Sequence, residues 1–242
     1  MGGPYIAVGG LVISLIGLHE FYSAFKNHSI SPTPWIGYLS IVPLYGFAWY
    51  INNSFAMSLS IAVLIMALLL EYLFNQNKKL EDTSMTLLGV FYIAFNLFHI
   101  VKIASFDSHF FIWYVFILAW GTDTCAYFTG YFFGKRKLWE EISPKKTIEG
   151  AIGGIVGATI LAFGFAYVLK PSFMYYAIPL GIIGSIVSQM GDLIASKIKR
   201  YVDIKDYGHI MPGHGGVLDR FDSIILTAPL VYYYVVIVTE YL

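Results

Sequence analysis

Long apolar segments recur along the whole chain, and they constrain its fold more than any other feature. A helix that crosses a bilayer needs about 20 predominantly apolar residues. Segments near that length occur eight times in the 242 residues, at 4–25, 35–52 (a short one), 55–75, 84–104, 108–133, 148–169, 173–195 and 221–241. Hydrophobic residues make up 57% of the chain and charged residues 12%, which is typical of a polytopic membrane protein. We therefore predict an all-α, multi-pass protein of the cell membrane with about eight transmembrane helices.

Composition excludes several other classes of protein. The formal net charge is zero, so nothing indicates binding of nucleic acid through bulk charge. The single cysteine, Cys125, excludes an internal disulfide framework and a zinc site built from several cysteines. No basic region precedes the first apolar segment, so we expect no cleavable signal peptide.

The lysines and arginines lie almost entirely in alternate loops between the predicted spans. Of the 15 basic residues, the first, third, fifth and seventh loops hold one, two, five and five, thirteen in all. By the positive-inside rule these loops face the cytoplasm and both termini lie outside. The long fifth loop, 134–147, and seventh loop, 196–220, carry most of the charge, so we expect an active site at the cytoplasmic face. We divide the chain into four N-terminal spans, 1–105, and a C-terminal catalytic region of four spans, 106–242.

Two carboxylates lie inside predicted spans. Asp123 and Asp192 would be costly in lipid unless they face a cavity, a partner or a metal. A structural alternative for Asp123 is an ion pair with a lysine, or a protonated acid bonded to a backbone carbonyl. Asp192 and Ser196 are four residues apart and therefore share one helix face. Glu20 lies near a span end, where we expect it to reach the membrane interface.

The seventh loop combines glycines, basic residues and carboxylates just before the last apolar segment. In Met211–Ser223, the run "PGHGG" lets backbone N–H groups approach an anion without obstruction by side chains. Asp219 and Asp222 can bind a hard divalent metal, although acidic residues in a first helical turn also gain from the helix dipole. The basic residues available to neutralise a phosphate are Lys197, Lys199, Arg200, Lys205 and Arg220. Together these groups predict a phosphate bound through Mg²⁺, which takes carboxylate and phosphate oxygens.

The fifth loop repeats this combination. Thr147 is a predicted helix N-cap with Glu149 in the first turn. Lys145 and Lys146 directly precede that helix N-terminus, which is itself an anion site.

Three familiar motifs do not fit. The run "GYFFGKRK" lacks the glycine spacing of a P-loop and a Ser or Thr after Lys135. The chain has no G-x-S-x-G elbow, which argues against a serine hydrolase despite the "GHGG" run. His209 and His214 lack helical spacing and are a weak signal for zinc.

These polar stretches resemble a known family. Ser196–Ser223 closely resembles the signature of phosphatidate cytidylyltransferases, also called CDP-diacylglycerol synthases, which are membrane enzymes that join CTP and phosphatidic acid into CDP-diacylglycerol and pyrophosphate. Trp120–Gly150 resembles a second family block, and "QMGDLIASKIKR" a third. The resemblance is strong over residues 110–225; before them it consists of a hydrophobic pattern and the fragment Glu20–Tyr22.

The chain departs from the family pattern in two places. Family members usually begin with a further basic-led span, which would bear on stability or dimer packing more than on chemistry. Tyr207 stands where a small polar residue is common, which bears on the detailed substrate contacts of the loop.

The resemblance implies roles for individual residues. Asp192 and Asp219 would be metal ligands, Asp123 would complete or border the metal centre, and Lys146 would bind phosphate, which makes these four the expected catalytic residues. The expected substrate-binding residues are Lys145, Ser196, Arg200, Lys205, Asp206, Gly213, His214, Gly215, Gly216, Arg220 and Asp222.

The resemblance also implies cofactors and partners. Mg²⁺ is the expected essential ion, and a second, monovalent cation such as K⁺ is allowed. The expected partners are CTP, phosphatidic acid and membrane lipids, with a homodimer as a further expectation.

Two other functions remain open. One is a CTP-dependent lipid kinase of the dolichol or phytol type, which transfers the γ-phosphoryl group to an alcohol; the long signature argues against it. The other is an ion-coupled transporter that uses Asp123 and Asp192 as ion sites. The clustering of polar residues on one predicted face argues against a path through the membrane.

Overall fold

The computed structural model describes residues 3–50, 54–106, 109–210, 213 and 215–239. Helices make up most of this part of the chain, which confirms the predicted all-α class. The helices are α1 Gly3–Ala24, α2 Pro34–Tyr50, α3 Ser54–Phe74, α4 Leu80–Gly89, α5 Asn96–Ala104, α6 Phe110–Phe116, α7 Thr122–Phe133, α8 Ile148–Leu169, α9 Met174–Tyr201 and α10 Leu218–Thr239. π-Helical turns at Val90–Phe95 and Ile117–Gly121 join α4 to α5 and α6 to α7.

Within the described residues, seven helical segments are long and apolar enough to cross a membrane. The multi-pass architecture is thus confirmed, with one difference in the count. The predicted span 35–52 forms α2, which has 17 residues with Pro43 inside it. At a rise of about 1.5 Å per residue, α2 is about 25 Å long, shorter than the roughly 30 Å hydrocarbon core of a typical bilayer.

Both long loops are more ordered than the sequence indicates. α9 continues through the predicted loop boundary to Tyr201, where Lys199 and Arg200 occupy the last turn and complement the helix dipole. Asp203, with φ +52, then leaves the helical conformation in the way that ends many helices. The fifth loop holds an antiparallel hairpin of β1, Lys137–Trp139, and β2, Ser143–Thr147.

The described chain divides into two compact units. The first contains Met1–Lys102 and Tyr201–Arg220, and the second contains Ile103–Arg200 and Phe221–Leu242. The segment 201–220, which the sequence-based division assigned to the C-terminal region, therefore belongs with the N-terminal helices.

Small residues set the helix packing of the second unit. Helix α8 lies against α7 so closely that a side chain at Gly153 would overlap Thr129, and one at Gly157 would overlap Cys125. A Cβ at Gly150 would lie 2.8 Å from the carbonyl oxygen of Ala126. Small residues allow such close backbone approach between membrane helices. The packing brings the N-terminus of α8 beside α7, where Asp123 lies.

Candidate active site

A cavity of about 600 Å³ opens in the second unit and collects most of the residues predicted there. Asp123 on α7, Asp192 on α9 and Lys145 and Lys146 on β2 all line it. Lys137 of the hairpin adds a third lysine to the lining. The cavity therefore brings together three of the four expected catalytic residues, Asp123, Lys146 and Asp192; the fourth, Asp219, lies in the first unit.

Asp192 is the centre of a small polar network. Its Oδ2 forms an ion pair with Nζ of Lys146, and the two side chains retain 22% and 26% of their exposure. Oδ1 accepts a hydrogen bond of 3.2 Å from Oγ of Ser196, which confirms that the two residues share a helix face. The structural alternative placed a lysine beside Asp123; Lys146 does interact electrostatically with Asp123, but its ion pair is with Asp192. Both residues line the cavity, although Nζ of Lys146 itself is buried.

A third carboxylate joins the cluster through a serine. Oγ of Ser223 lies 3.2 Å from Oδ2 of Asp123 and 3.4 Å from Oδ1 of Asp222, and it can donate its single proton to one of them at a time. Ser223 itself is 2% exposed. Asp123 and Asp222 each interact electrostatically with Asp192. Asp222 is the fifth residue of α10, so it lies inside the helix, past the first turn, and does not cap the helix N-terminus.

Close packing of two helices makes this cluster possible. A Cβ at Gly191 would lie 2.7 Å from the carbonyl oxygen of Asp222 and 3.3 Å from Cα of Ser223. Only glycine allows α9 and α10 to approach this far. The residue directly before Asp192 therefore determines how near Asp192 lies to Asp222.

The hairpin and the start of α8 orient the two lysines. Oγ1 of Thr147 accepts a hydrogen bond of 3.1 Å from Gly150 N, which confirms the predicted N-cap. Glu149 lies in the first turn, and its Oε2 accepts bonds of 3.0 and 3.2 Å from the backbone of Lys135 and Arg136. Lys146 is half-buried and Lys145 is exposed. The backbone N–H groups of the α8 terminus thus supply positive potential beside the lysines.

In the first unit, Asp219 organises the seventh loop. Its Oδ2 accepts backbone hydrogen bonds of 2.8 Å from Tyr207 N and 3.0 Å from Gly216 N. Gly213 and Gly215 have φ of +74 and +84, in the left-handed region that favours glycine. The backbone conformation therefore favours glycine at both positions, and the anion-binding role of these glycines stays a prediction.

The other predicted residues of the loop differ in exposure. Arg200 at the end of α9, Lys205 and Arg220 are exposed, and Asp206 is half-buried. The ring of Tyr207 is buried, with its centroid 6.5 Å from that of Phe21. The side chain of Tyr207, which departs from the family pattern, is therefore packed within the first unit. His214, together with Met211 and Pro212, lies outside the described residues.

Glu20 does not reach the membrane interface, so that expectation is wrong. Its side chain is 3% exposed. Oε1 accepts a bond of 3.0 Å from Val217 N, and Oε2 accepts one of 2.7 Å from Leu218 N. Helix α1 thus supplies the carboxylate that caps α10. The only sequence signal was the fragment Glu20–Tyr22, which contains no indication of its distant partner.

Metal binding needs a rearrangement of these side chains. Among the residues that the structure describes, no group of three or more His, Cys, Asp or Glu side chains is arranged to hold a metal ion. Asp123, Asp192 and Asp222 nevertheless provide carboxylate oxygens, the donors that suit Mg²⁺. The three carboxylates interact with one another, and Lys146 and Lys199 offset part of their charge; their oxygens form a donor set that fits a divalent cation.

Comparison with known proteins extends the match along nearly the whole chain. The model of the cytidylyltransferase family matches residues 1–238. The phosphatidate cytidylyltransferase of Bacillus subtilis (strain 168) is 40% identical over 180 residues, which cover 72% of this chain and 67% of the relative. Those of Staphylococcus haemolyticus and Staphylococcus aureus (strain COL) are 34% and 32% identical, each covering 95% of this chain and 89% of the relative. The similarity thus includes the N-terminal helices, where the resemblance consisted of a hydrophobic pattern and the fragment Glu20–Tyr22.

Proposed function

We propose, because the chain belongs to the cytidylyltransferase family, that it transfers the cytidylyl group of CTP to phosphatidic acid. The products are CDP-diacylglycerol and pyrophosphate. Relatives that are 32% to 40% identical bear the name of this activity. The observation that carries the proposal is the cavity in which Asp123 and Asp192 face Lys145 and Lys146.

The main obstacle in this reaction is charge. The attacking oxygen of phosphatidate is anionic at neutral pH, so it needs little help from a general base. It has to approach the α-phosphate of CTP, which is also anionic. Catalysis of phosphoryl transfer therefore depends on positioning and on neutralising charge. Lys145, Lys146 and the N-terminus of α8 provide positive groups for that purpose.

Mg²⁺ is the ion we propose for the carboxylate cluster, held by Asp123, Asp192 and Asp222. Bound there, it would neutralise charge on phosphate oxygens and help to align an in-line displacement. Asp219, the remaining predicted ligand, lies in the first unit, and its metal role stays a prediction. K⁺ as a second cation also stays a prediction.

The residues of this chain have definable tasks in the transfer. Lys146 exchanges its ion pair with Asp192 for a substrate phosphate, and this exchange releases the carboxylate. Ser223 and Ser196 hold the orientation of Asp123 and Asp192. A bond forms between the phosphatidate oxygen and the α-phosphorus, and the bond from that phosphorus to the bridging oxygen breaks. Pyrophosphate leaves with the electron pair.

The phosphate-binding role of the seventh loop is part of the same proposal. Gly213 and Gly215 allow the backbone to approach an anion closely, while Gly216 N is bonded to Asp219, and Arg200, Lys205 and Arg220 add exposed positive charge. A reaction between a phosphomonoester lipid and a triphosphate needs two anion-binding elements. The hairpin with α8 is one, and the glycine loop is the second.

The orientation in the membrane is also proposed. Thirteen of the 15 basic residues lie in alternate loops, which supports loops 134–147 and 196–220 on the cytoplasmic side with the termini outside. CTP would then arrive from the cytoplasm and phosphatidate from the leaflet. A cysteine placed at Lys205 after replacement of Cys125 should resist membrane-impermeant labelling in intact cells. External labelling there would reverse the orientation.

Label transfer from CTP tests the activity directly. Purified protein is incubated with phosphatidate, Mg²⁺ and CTP that is labelled on either the α- or the γ-phosphate. A cytidylyltransferase places the α-label in the lipid and the γ-label in pyrophosphate. A lipid kinase given its alcohol substrate places the γ-label in the lipid and leaves the α-label in CDP, and a transporter labels no lipid. The γ-label in lipid without the α-label would overturn the proposal.

A further inference from the structure

We propose that Glu20 is a positioning residue of the reaction, which acts from the first helix by fixing the loop that carries Asp219. The proposal rests on the proposed function for the catalytic role of Asp219. It adds a residue that lies almost two hundred positions away in the sequence, and it assigns Glu20 no direct contact with substrate.

The carboxylate of Glu20 is fully engaged with the start of α10. Each oxygen accepts one backbone hydrogen bond, from Val217 N at 3.0 Å and from Leu218 N at 2.7 Å. The side chain is 3% exposed, so the loss of either bond would leave a buried polar group without its partner. A negative charge at a helix N-terminus also gains from the helix dipole.

Two glycines of the loop make room for this carboxylate. A Cβ at Gly216 would lie 2.6 Å from Cδ of Glu20, and one at Gly208 would lie 2.8 Å from the same atom. Real side chains do not tolerate such distances, so the loop encloses the carboxylate on two sides. The loop is therefore shaped around Glu20 at both of these positions.

Glu20 and Asp219 divide three consecutive backbone N–H groups between them. Gly216 N donates to Asp219, and the next two residues, Val217 and Leu218, donate to Glu20. Tyr207 N, at the other end of the loop, also donates to Asp219. The backbone of Val217 and Leu218, which Glu20 binds, leads directly into Asp219. If these two residues lost their bonds to Glu20, the Asp219 carboxylate would move. Misplacement of a catalytic group by about 1 Å can cost about 100-fold in rate.

A second buried carboxylate of the first unit provides a matched control. Asp82 is also 3% exposed and also accepts two backbone bonds, from Ser31 N at 2.6 Å and from Lys79 N at 2.9 Å. It caps α4, and among the described residues its carboxylate bonds only to Ser31 and Lys79 and not to the loop. Glu20→Gln and Asp82→Asn therefore remove the same kind of interaction from the same unit, and only the former acts on Asp219.

Two glycine substitutions, one at the carboxylate of Glu20 and one as its control, provide a milder and independent test. Gly208→Ala keeps the charge of Glu20 but pushes against its carboxylate, the movable end of a flexible side chain. Gly9→Ala in α1 places its methyl group where nothing lies within 4 Å. If Glu20→Gln does not fold, the Gly208→Ala and Gly9→Ala pair decides the outcome.

Two measurements are made on each purified full-length variant. The first is the kcat and KM for cytidylyl transfer, normalised to folded protein. The second is the rate of tryptic cleavage after Lys205, which is exposed in the loop. The cleavage rate reports loop order without any need for activity. If the wild type transfers no cytidylyl group, the proposed function fails while the cleavage rate still tests how Glu20 holds the loop.

Glu20→Gln should lower kcat by about 10- to 100-fold, in the range of other residues that orient a catalytic ligand, with a smaller change in KM. Gly208→Ala should lower kcat by a smaller factor. Glu20→Gln and Gly208→Ala should both speed tryptic cleavage after Lys205. Asp82→Asn and Gly9→Ala should leave kcat per folded molecule and cleavage near the wild-type values. Equal kcat and equal cleavage in Glu20→Gln and Asp82→Asn would overturn the proposal.

Discussion

Three carboxylates of the first unit and two carboxylates of the cavity differ in which groups bind them. In the first unit, Glu20, Asp82 and Asp219 each accept two backbone N–H bonds. In the second unit, Asp123 and Asp192 accept bonds from serine hydroxyls, and Asp192 pairs with Lys146. One set is therefore bound to the main chain, and the other is bound to side chains.

This difference separates carboxylates that are fixed by the main chain from carboxylates whose side-chain partners can move. Backbone donors stay where the fold places them, so a carboxylate that binds them holds a loop or a helix end in place. A lysine or serine side chain can rotate to a new partner. The second set can therefore exchange its partners for a cation or a substrate, and the following experiments test that distinction.

The largest expected effect is that of Asp192→Asn on turnover. The amide keeps the shape of the side chain but loses the charge that binds Mg²⁺ and pairs with Lys146. Loss of several kcal/mol of transition-state stabilisation corresponds to at least about a 100-fold fall in kcat. Thermal unfolding in detergent should change little, because the side chain is partly exposed. Near-normal turnover at limiting Mg²⁺ would contradict the ligand role.

Asp82→Asn is the counterpart from the first unit, with the opposite expected result. Loss of charge at a buried, doubly bonded carboxylate should lower stability by about 1–3 kcal/mol. The kcat per folded molecule should stay near the wild-type value. If Asp82→Asn reduced kcat as strongly as Asp192→Asn, the division between the two sets would fail.

Substitution of Lys145 and of Lys146 should show how much each of these two lysines contributes to kcat/KM. Lys146→Met removes the half-buried ion pair and the proposed phosphate contact, which should lower kcat/KM by about 10- to 100-fold. Lys145 is exposed, so Lys145→Met should lower kcat/KM by less than about fivefold. Steady-state kinetics over a range of CTP concentrations measure both. The reverse order of the two effects would shift the phosphate contact to Lys145.

A smaller effect is expected where α9 meets α10. The methyl group of Gly191→Ala would press on the backbone of Asp222, so overpacking should destabilise the protein by about 1–3 kcal/mol. It should also reduce kcat, because the carboxylates separate. Gly164→Ala in α8 has open space around it and should be neutral or slightly stabilising. Thermal unfolding of both variants in detergent compares them.

The smallest expected effect is that of the α8 cap. Thr147→Ala removes the hydrogen bond from Gly150 N and should cost about 1 kcal/mol. Thr147→Ser keeps the oxygen and should retain most of the stability. A loss of the same size in both variants would show that the methyl group, and not the cap, matters at this position.

The sequence by itself determined the features that depend on near neighbours. The apolar segments predicted the membrane helices, the spacing of Asp192 and Ser196 predicted a shared face, and Thr147 predicted a helix start. Seven of the eight predicted spans are found among the described residues, and the shared face and the helix start are confirmed, because helix periodicity and caps are set within a few residues. The signature blocks likewise predicted the family from contiguous stretches of sequence.

The tertiary structure alone decided which polar groups meet. Nothing local indicates that Lys146 pairs with Asp192, or that Ser223 bonds to Asp123, which lies 100 positions before it in the chain. Glu20 was expected at the interface, since its own neighbours are those of a span end, and it lies buried against Val217 and Leu218. Such contacts depend on how whole helices pack, and a single sequence has no short-range pattern that records them.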